Sequence, residues 1–523
     1  MSVKVLDCTL RDGGYINNWL FGKSEIRSII SGLQESHVNI IECGFIRHEI
    51  YNPDRSVFCS MDQVRDALLP KEKGVLYSVM IEQHNHADDL IPMFDGTAAD
   101  IIRVTFRRKE WDETKRTIAS LIEKGYKVCV QPVGTAAYDD QSLISLLNDV
   151  NNLKPYAFYL VDTLGVMYRH DMRRMFYLID QNLSSNIVLG FHSHNNLQMS
   201  FSNAQEIIRL AHKRSIIIDS SCYGMGRGVG NLATELILDY INNSIEQRYS
   251  LTPVLNIIDK YLMPIYAEHR WGYDLPYFLS GTMKCHPNYA AHLLRKETLG
   301  IESIEKILSL LPTDSKNEYD SELIEKMYIQ FQAMYVDDIE SYSQLINILD
   351  EREVVILGSG SSVVDYREKI KKASENRFVI SVNFIEKEIK TDALFISNEK
   401  RLKTISDELA SIDTVLSTSN ICINGSIVFN YASLLGEGEA LDNAGSMLIR
   451  ALKKARVRRI LLAGFDGYDV NVDNNYFISN YKTAIDIDTA KKKNDSISKQ
   501  LSLALSGLEY EFITPTKYKT GNI

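Results

Sequence analysis

Short runs of β-branched and apolar residues recur through the first 220 positions, and each is followed by a longer stretch with apolar residues at helical spacing. The runs are VKVLDC (3–8), VNIIECGF (38–45), LYSVMI (76–81), DIIRVTF (100–106), YKVCVQP (126–132), AFYLVD (157–162), IVLGFHSH (187–194) and SIIIDSS (215–221). Runs this continuously hydrophobic suit parallel strands covered on both faces, and the helical stretches between them make each a βα unit. Eight units in about 225 residues predict an α/β TIM (β/α)8 barrel over 1–235. A doubly wound open sheet shares the same local pattern.

From 236 to 348 the pattern turns helical, as in LDYINNSIEQ and ESIEKILSLL, and predicts a helical extension that lines or covers the barrel. Within it, RWGYDLPYFLSGTMKCHPNYAAHLL is rich in aromatic and turn residues. At 353 a buried-strand signal, VVILGSGSS, opens a second and smaller α/β region. FVISVNF (378–384), DALFISN (392–398), DTVLST (413–418) and RILLAGFDGYD (459–469) follow it, separated by helical stretches. These predict a Rossmann-like domain over 349–523.

Composition narrows the class. The 523 residues are 45% hydrophobic and 24% charged, which is a folded globular composition of more than one domain. A net charge of −10 gives no general basic field to hold nucleic acid. The cysteines (Cys8, Cys43, Cys59, Cys129, Cys222, Cys285 and Cys422) are odd in number, scattered and without a C-x-x-C pair. That argues against a disulfide framework or a cysteine-ligated zinc and for a reducing compartment. The start, MSVKVLDCTL, has no charged n-region leading into an apolar h-region, and no stretch approaches the length of a membrane span. A cytoplasmic protein with no membrane partner is expected.

The first predicted strand runs into LDCTLRDGGY, which puts Arg11 and Asp12 in the turn that leaves it. The C-terminal ends of barrel strands carry the chemistry, so an adjacent cation and carboxylate there read as catalytic. Glu42 ends the second strand, and the seventh ends in His192-Ser193-His194-Asn195. Residues i and i+2 of a strand point the same way, so both imidazoles reach one ion, and Asp12 across the mouth would make a third ligand with positions left open for substrate. Singly, each has a plainer explanation: a hydrogen-bonded histidine pair, a surface ion pair, a capping glutamate. All of them fall at the same end of three strands, which favours the joint reading.

TLRDG near the start, I-E-C-G thirty residues on, H-x-H-N at 192 and the loop GMGRGVGN together resemble the DRE-TIM metallolyases, over about residues 3–235. That superfamily includes 4-hydroxy-2-oxovalerate aldolase, hydroxymethylglutaryl-CoA lyase and the isopropylmalate and homocitrate synthases. The resemblance implies that Asp12, His192 and His194 hold a divalent metal, Mn2+ or Mg2+ with Zn2+ as the softer alternative. Asn231 stands where some members supply a further ligand, and its glycines read as an anion or substrate loop at a helix N-terminus, with a tight turn as the plainer alternative. The shared chemistry is formation or quenching of an enolate, with the ion and Arg11 stabilising the oxyanion and Glu42 orienting Arg11 or a water. Gln131, Asp162 and Thr163 lie at strand ends where substrate contacts are expected, and where core or turn hydrogen bonds serve equally well.

Within the superfamily the branch is open. Tyr15 stands where the aldolases carry a histidine base, and an ordinary tyrosine is a poor base at neutral pH. His48 is another candidate base, with a surface histidine as its plain reading. Cys222 precedes the glycines, so it does not match the lyase cysteine and reads as a small buried hydrophobe. Tyr289, in HPNYAAHL, is similar to the late tyrosine that lines the site in the hydroxy-oxoacid aldolases, and inclines the reading towards an aldolase. The sequence thus predicts a metal-dependent carbon–carbon lyase acting on a 2-oxoacid and an aldehyde, in a homodimer, for the sugar acids of surface glycans. Its alternatives are an acyl-CoA Claisen synthase or lyase and a barrel without turnover that serves as a scaffold.

In the second region Gly358 and Gly360 sit in a strand-to-helix turn suited to a phosphate, although the third glycine of the dinucleotide fingerprint is replaced by Val363. With Asn383 and Asp466 they resemble the sialyltransferase-related and motility-accessory domains, over about 350–470. That resemblance implies a nucleotide or nucleotide-sugar site. A tethering or dimerisation domain is the alternative.

Overall fold

The computed structural model describes residues 2–520 except 69, 317, 422, 439, 472–474, 477 and 479–486, so Cys422 lies outside the described residues. The chain divides into two units. One comprises Met1–Ala291 and Leu311–Tyr319, the other His292–Leu310 and Asp320–Ile523. The helical stretch 236–348 is therefore shared out between the units and does not form a piece of its own.

The first unit is built on β1 (Val3–Asp7), β2 (Ile40–Ile46), β3 (Val57–Phe58), β4 (Leu76–Glu82), β5 (Ile101–Phe106), β6 (Lys127–Pro132), β7 (Ala157–Asp162), β8 (Val188–Ser193) and β9 (Ile216–Ser220). All of the pairings are parallel, in the order β1-β9-β8-β7-β6-β5-β4-β2-β3. A further pairing, Leu6 to Ile40 and Asp7 to Ile41, joins β1 to β2 and closes the sheet into an eight-stranded barrel, with β3 a two-residue addition to β2. Helices follow the strands, and their buried faces meet the outward-facing strand residues Val5, Ile41, Val79, Val104 and Ile218 in one large core.

The inward face follows from the two-residue period of a strand. Leu6, Ile40, Ile101, Cys129, Tyr159 and Ile217 form an apolar floor inside the barrel. Two residues further along four of these strands, towards the C-terminal end, come Glu42, Arg103, Gln131 and Asp219, all of them buried. A layer of charge thus rests directly on an apolar layer.

In the second unit β10 (Val354–Leu357), β11 (Phe378–Val382), β12 (Ala393–Ile396), β13 (Val415–Thr418), β14 (Ile427–Phe429), β15 (Arg459–Ala463) and β16 (Glu509–Phe512) make one parallel sheet. Its order is β14-β13-β12-β11-β10-β15-β16. The chain builds outwards from β10 in one direction and then returns to place β15 on its other side, the doubly wound arrangement whose crevice opens beyond β10 and β15.

Candidate metal centre and the charge network beneath it

Asp12 leaves β1 in a tight turn in which its N–H and that of Arg11 both donate to the Cys8 carbonyl. The turn carries Asp12 over the barrel mouth, where β8 delivers His192 and the residue after it delivers His194. One ligand atom each from Asp12, His192 and His194 lies within 4.8 Å of the others. His192 Nε2 is 3.8 Å and His194 Nε2 4.0 Å from Asp12 Oδ2, spacings that one cation with bonds of about 2.0–2.2 Å can bridge. The side-chain nitrogen of Asn231 donates to Asp12 Oδ2 at 2.6 Å, and its buried oxygen has no partner, which leaves an oxygen as a fourth donor for an ion.

The electrostatics favour ligand protonation states. Burial alone would raise the Asp12 pKa, but the Arg11 guanidinium, then the two imidazoles and Asn231, hold it well below the usual carboxylate range. Burial pushes His194 down to about 4 against the pull of Asp12, so its ring is neutral and its lone pair available at physiological pH. The donor set therefore fits a divalent ion.

Arg11 donates from Nε to Glu42 at 2.7 Å and from Nη1 to Asp12 at 2.6 Å, while its buried Nη2 has no partner. Beyond Glu42, β2 bulges before Phe45. Gly44 forms that bulge with φ +149°, and a Cβ there would meet the Ser56 carbonyl oxygen at 1.9 Å.

Two residues that the sequence reading passed over complete the site. Arg103, fully buried, donates to Glu42 at 2.7 Å and to Asp219, and Asp219 in turn accepts from His192 Nδ1 at 3.0 Å. Each sits inside an apolar run, DIIRVTF or SIIIDSS, and a charge embedded in a doubly covered strand was the signal available.

Other predicted positions have structural duties. Gln131, with its amide turned so that both ends are satisfied, accepts from Arg103 Nε at 3.1 Å and so faces the network. The Asp162 carboxylate accepts the backbone N–H groups of Val166 and Met167 at 3.1 and 3.0 Å, and burial pushes its pKa up to about 6. Thr163 accepts from the Gly134 N–H at 2.9 Å. Both residues fasten loops, as the turn reading allowed. Tyr289 is fully buried, and its hydroxyl lies 2.9 and 2.8 Å from the carbonyl oxygens of Ser315 and Glu318. Cys222 is buried, its thiol pushed well up in pKa by burial. His48 is at the surface, 2.8 Å from Asp89.

Tyr15 stands at the rim, packed edge-on against Trp19 and Phe45 with ring centroids 4.7 and 6.2 Å away. Burial, then the charges of Glu82 and Asp12, raise its phenol pKa above the ordinary 10, the wrong direction for a base at neutral pH.

In the second unit Gly358 and Gly360 are glycines because β15 leaves so close by: a Cβ would meet the Gly464 carbonyl oxygen at 2.6 Å in the first and the Asp466 carboxyl carbon at 2.5 Å in the second. Asp466 accepts from the Ser362 N–H at 2.7 Å and from the Ser362 hydroxyl, so a protein carboxylate already fills the anion position of that turn. Asn383 accepts from the Ser397 N–H at 3.1 Å. All four predicted residues line one cavity of about 380 Å3 at the C-terminal edge of the sheet.

A family model described as HMGL-like matches residues 100–257. The oxaloacetate decarboxylase of Mycobacterium tuberculosis is 25% identical over 243 residues, 45% of this chain and 68% of that protein. The 4-hydroxy-2-oxovalerate aldolase of Bacillus cereus is 24% identical over 239 residues, again 45% and 68%. A crystal structure of Rhizobium etli pyruvate carboxylase superimposes with a TM-score of 0.50 at 12% identity, covering 66% of this chain and 38% of that one, a likeness of fold. Barrel, donor set and relatives define a metal-dependent enzyme of the carbon–carbon lyase class. Within that class the barrel is similar to the DRE-TIM metallolyases, whose name Asp12, Arg11 and Glu42 match.

Proposed function

We propose that the barrel makes or breaks the carbon–carbon bond of a 4-hydroxy-2-oxoacid through a pyruvate-type enolate. The observation that carries this reading is the buried Arg11 guanidinium, with Nε and Nη1 spent on Glu42 and Asp12 and Nη2 unpartnered beside the three-donor cation site. Asp12, His192 and His194, with Asn231 as a further oxygen donor, would hold a divalent ion, which would supply positive charge where negative charge develops on the keto oxygen. Mn2+ or Mg2+ suits the oxygen donors, and Zn2+ the imidazoles.

Arg11 is held in place by two anions and offers Nη2 to the same oxyanion. Its orientation is fixed before substrate arrives, so little reorganisation is needed during the reaction. Tyr15 remains a neutral phenol and donates a hydrogen bond to the aldehyde oxygen at the rim. The activities named for the two relatives fit a common scheme. Cleavage of a 4-hydroxy-2-oxoacid releases an aldehyde, decarboxylation of oxaloacetate releases carbon dioxide, and both leave a pyruvate enolate to be protonated.

The test follows the methyl protons of pyruvate by NMR in deuterated water, with and without Mn2+, beside assays for pyruvate release from a 4-hydroxy-2-oxoacid and from oxaloacetate. Metal-dependent exchange with release from the hydroxy-oxoacid is the expected result. Consumption of acetyl-CoA with a 2-oxoacid and no pyruvate exchange would assign the barrel to the Claisen branch, and no reaction at all would leave a scaffold.

A second reading concerns the second unit, and its cavity favours it. The cavity opens beyond the ends of β10, β11, β12 and β15, and Arg295, Arg401, Lys492 and Lys493 are among its lining residues. This unit binds a phosphorylated ligand of nucleotide or nucleotide-sugar type, with the phosphates against these cations and away from the turn that Asp466 occupies. A nucleotide sugar there would suit sugar-acid metabolism for surface glycans. Calorimetry with nucleoside diphosphates and their sugar conjugates should detect binding that K492E/K493E abolishes. Absence of heat with every one of them overturns the reading.

A further inference from the structure

We infer that Arg103 is a positioning residue for the barrel site: through Asp219 it fixes the ring of His192, and through Glu42 it fixes the guanidinium of Arg11. This rests on reading Asp12, His192 and His194 as cation ligands.

Every nitrogen of the Arg103 guanidinium is engaged. Nη1 donates to Glu42 Oε2 at 2.7 Å, Nη2 to Asp219 Oδ2, and Nε to the Gln131 side-chain oxygen at 3.1 Å. One face of the group lies 4.8 Å from the centre of the Tyr159 ring, and the side chain is 0% exposed. A planar cation held at three edges and one face has no freedom to turn, so it fixes the carboxylates it holds.

Both carboxylates pass that placement on. Glu42 Oε2 also accepts from Arg11 Nε at 2.7 Å, and Asp219 Oδ2 also accepts from His192 Nδ1 at 3.0 Å. A histidine that donates from Nδ1 presents its lone pair at Nε2, the atom that faces Asp12 Oδ2 at 3.8 Å. Asp12, Arg11, Glu42, Arg103, Asp219 and His192 thus form a continuous chain in which each guanidinium lies between two anions. Glu42 and Asp219 lie on different strands, β2 and β9, and Arg103 on β5 is the side chain that reaches both. A lysine would offer one point charge on a flexible stem and could not hold two carboxylates in a common plane.

The test uses the full chain with Arg103→Lys and, separately, Asp219→Asn. Imidazole 15N NMR on the metal-free protein reads the tautomer of His192, and electron paramagnetic resonance reads Mn2+ binding. The native protein should show the Nδ1–H form. Both variants should show a mixture of tautomers and an Mn2+ dissociation constant raised about tenfold or more. In Arg103→Lys, pyruvate exchange should remain well below native even at saturating Mn2+, because Arg11 has lost its setting.

A folded Arg103→Lys with the native tautomer and native Mn2+ affinity overturns the inference. Should Arg103→Lys fail to fold, Asp219→Asn decides: native Mn2+ affinity there overturns it equally. Neither readout needs substrate, so absence of aldolase or decarboxylase turnover leaves this test standing. Failure of the native protein to bind Mn2+ removes instead the cation-site reading beneath it.

Discussion

At the residue scale the barrel site turns on which polar atoms are already engaged. Arg11 has its Nε and Nη1 on Glu42 and Asp12, so Arg11→Lys keeps the charge but cannot span both carboxylates and still present a donor to substrate. Pyruvate exchange at saturating Mn2+ should fall about 10²–10³-fold, the usual loss for one oxyanion donor, and NMR of the methyl signal measures it. Tyr15 makes a different prediction. Since burial raises its phenol pKa above 10, it stays protonated through pH 9 and cannot produce a titration limb in the neutral range. Tyr15→Phe should therefore lower kcat for hydroxy-oxoacid cleavage and leave the shape of its pH profile between 6 and 9 unchanged; a limb that disappears in the variant would make Tyr15 the base after all. Asp12, Arg11, His192 and His194 were legible as a group because each occupies a strand end or the loop after one, and Asn231 through the motif it shares; Glu42, expected to end the second strand, is instead the third of the seven residues of β2, which runs on through its bulge to Ile46. Arg103 and Asp219 were harder to see because their neighbours spell a strand so plainly that the one charge in each passes as incidental. The inward period exposes them, two positions past Ile101 and Ile217. The partners of Gln131 and Tyr289 are distant in sequence, and no local pattern reveals them.

At the scale of elements, parallel strands buried on both faces announce themselves, and all eight barrel strands lie within two residues of their predicted starts. Besides the two-residue Val57–Phe58, two strands escaped notice, and both are marginal in packing. Ile427–Phe429 is three residues long at one edge of the second sheet, and Glu509–Phe512, at the other edge, alternates exposed glutamates with half-buried aromatics. An edge strand loses the continuous hydrophobicity that marks a central one. The bulge in β2 was equally silent, because Gly44 in I-E-C-G reads as part of a motif and its reason lies in the Ser56 carbonyl beside it. Gly44→Ala should destabilise the barrel by about 2 kcal/mol or more, from a disfavoured φ together with a backbone clash. Urea unfolding followed by circular dichroism checks this, and the surviving folded protein should also lose exchange activity as Glu42 is displaced from Arg11.

At the scale of the molecule, the two sheets and their cores were visible in the sequence, whereas the sharing of 236–348 between units was not, because helical periodicity shows a buried face without naming what buries it. Among the described residues no helix is long and apolar enough to cross a membrane. Because the cation ligands all belong to the first unit, Mn2+ at a hundredfold excess over its dissociation constant should stabilise that unit by about 2.7 kcal/mol. Scanning calorimetry should show one transition raised and the other unmoved, and equal movement of both would contradict that assignment. The alternating row under the barrel mouth has a further effect. Three carboxylates, Asp12, Glu42 and Asp219, against the two guanidiniums of Arg11 and Arg103 leave one negative charge in excess among these buried groups, so a small organic acid is expected to bind more readily once a divalent ion has entered. The acid then brings the pocket back to electrical balance. If Asp12, His192 and His194 hold an ion as proposed, the expected order is ion first, acid second, and release in reverse.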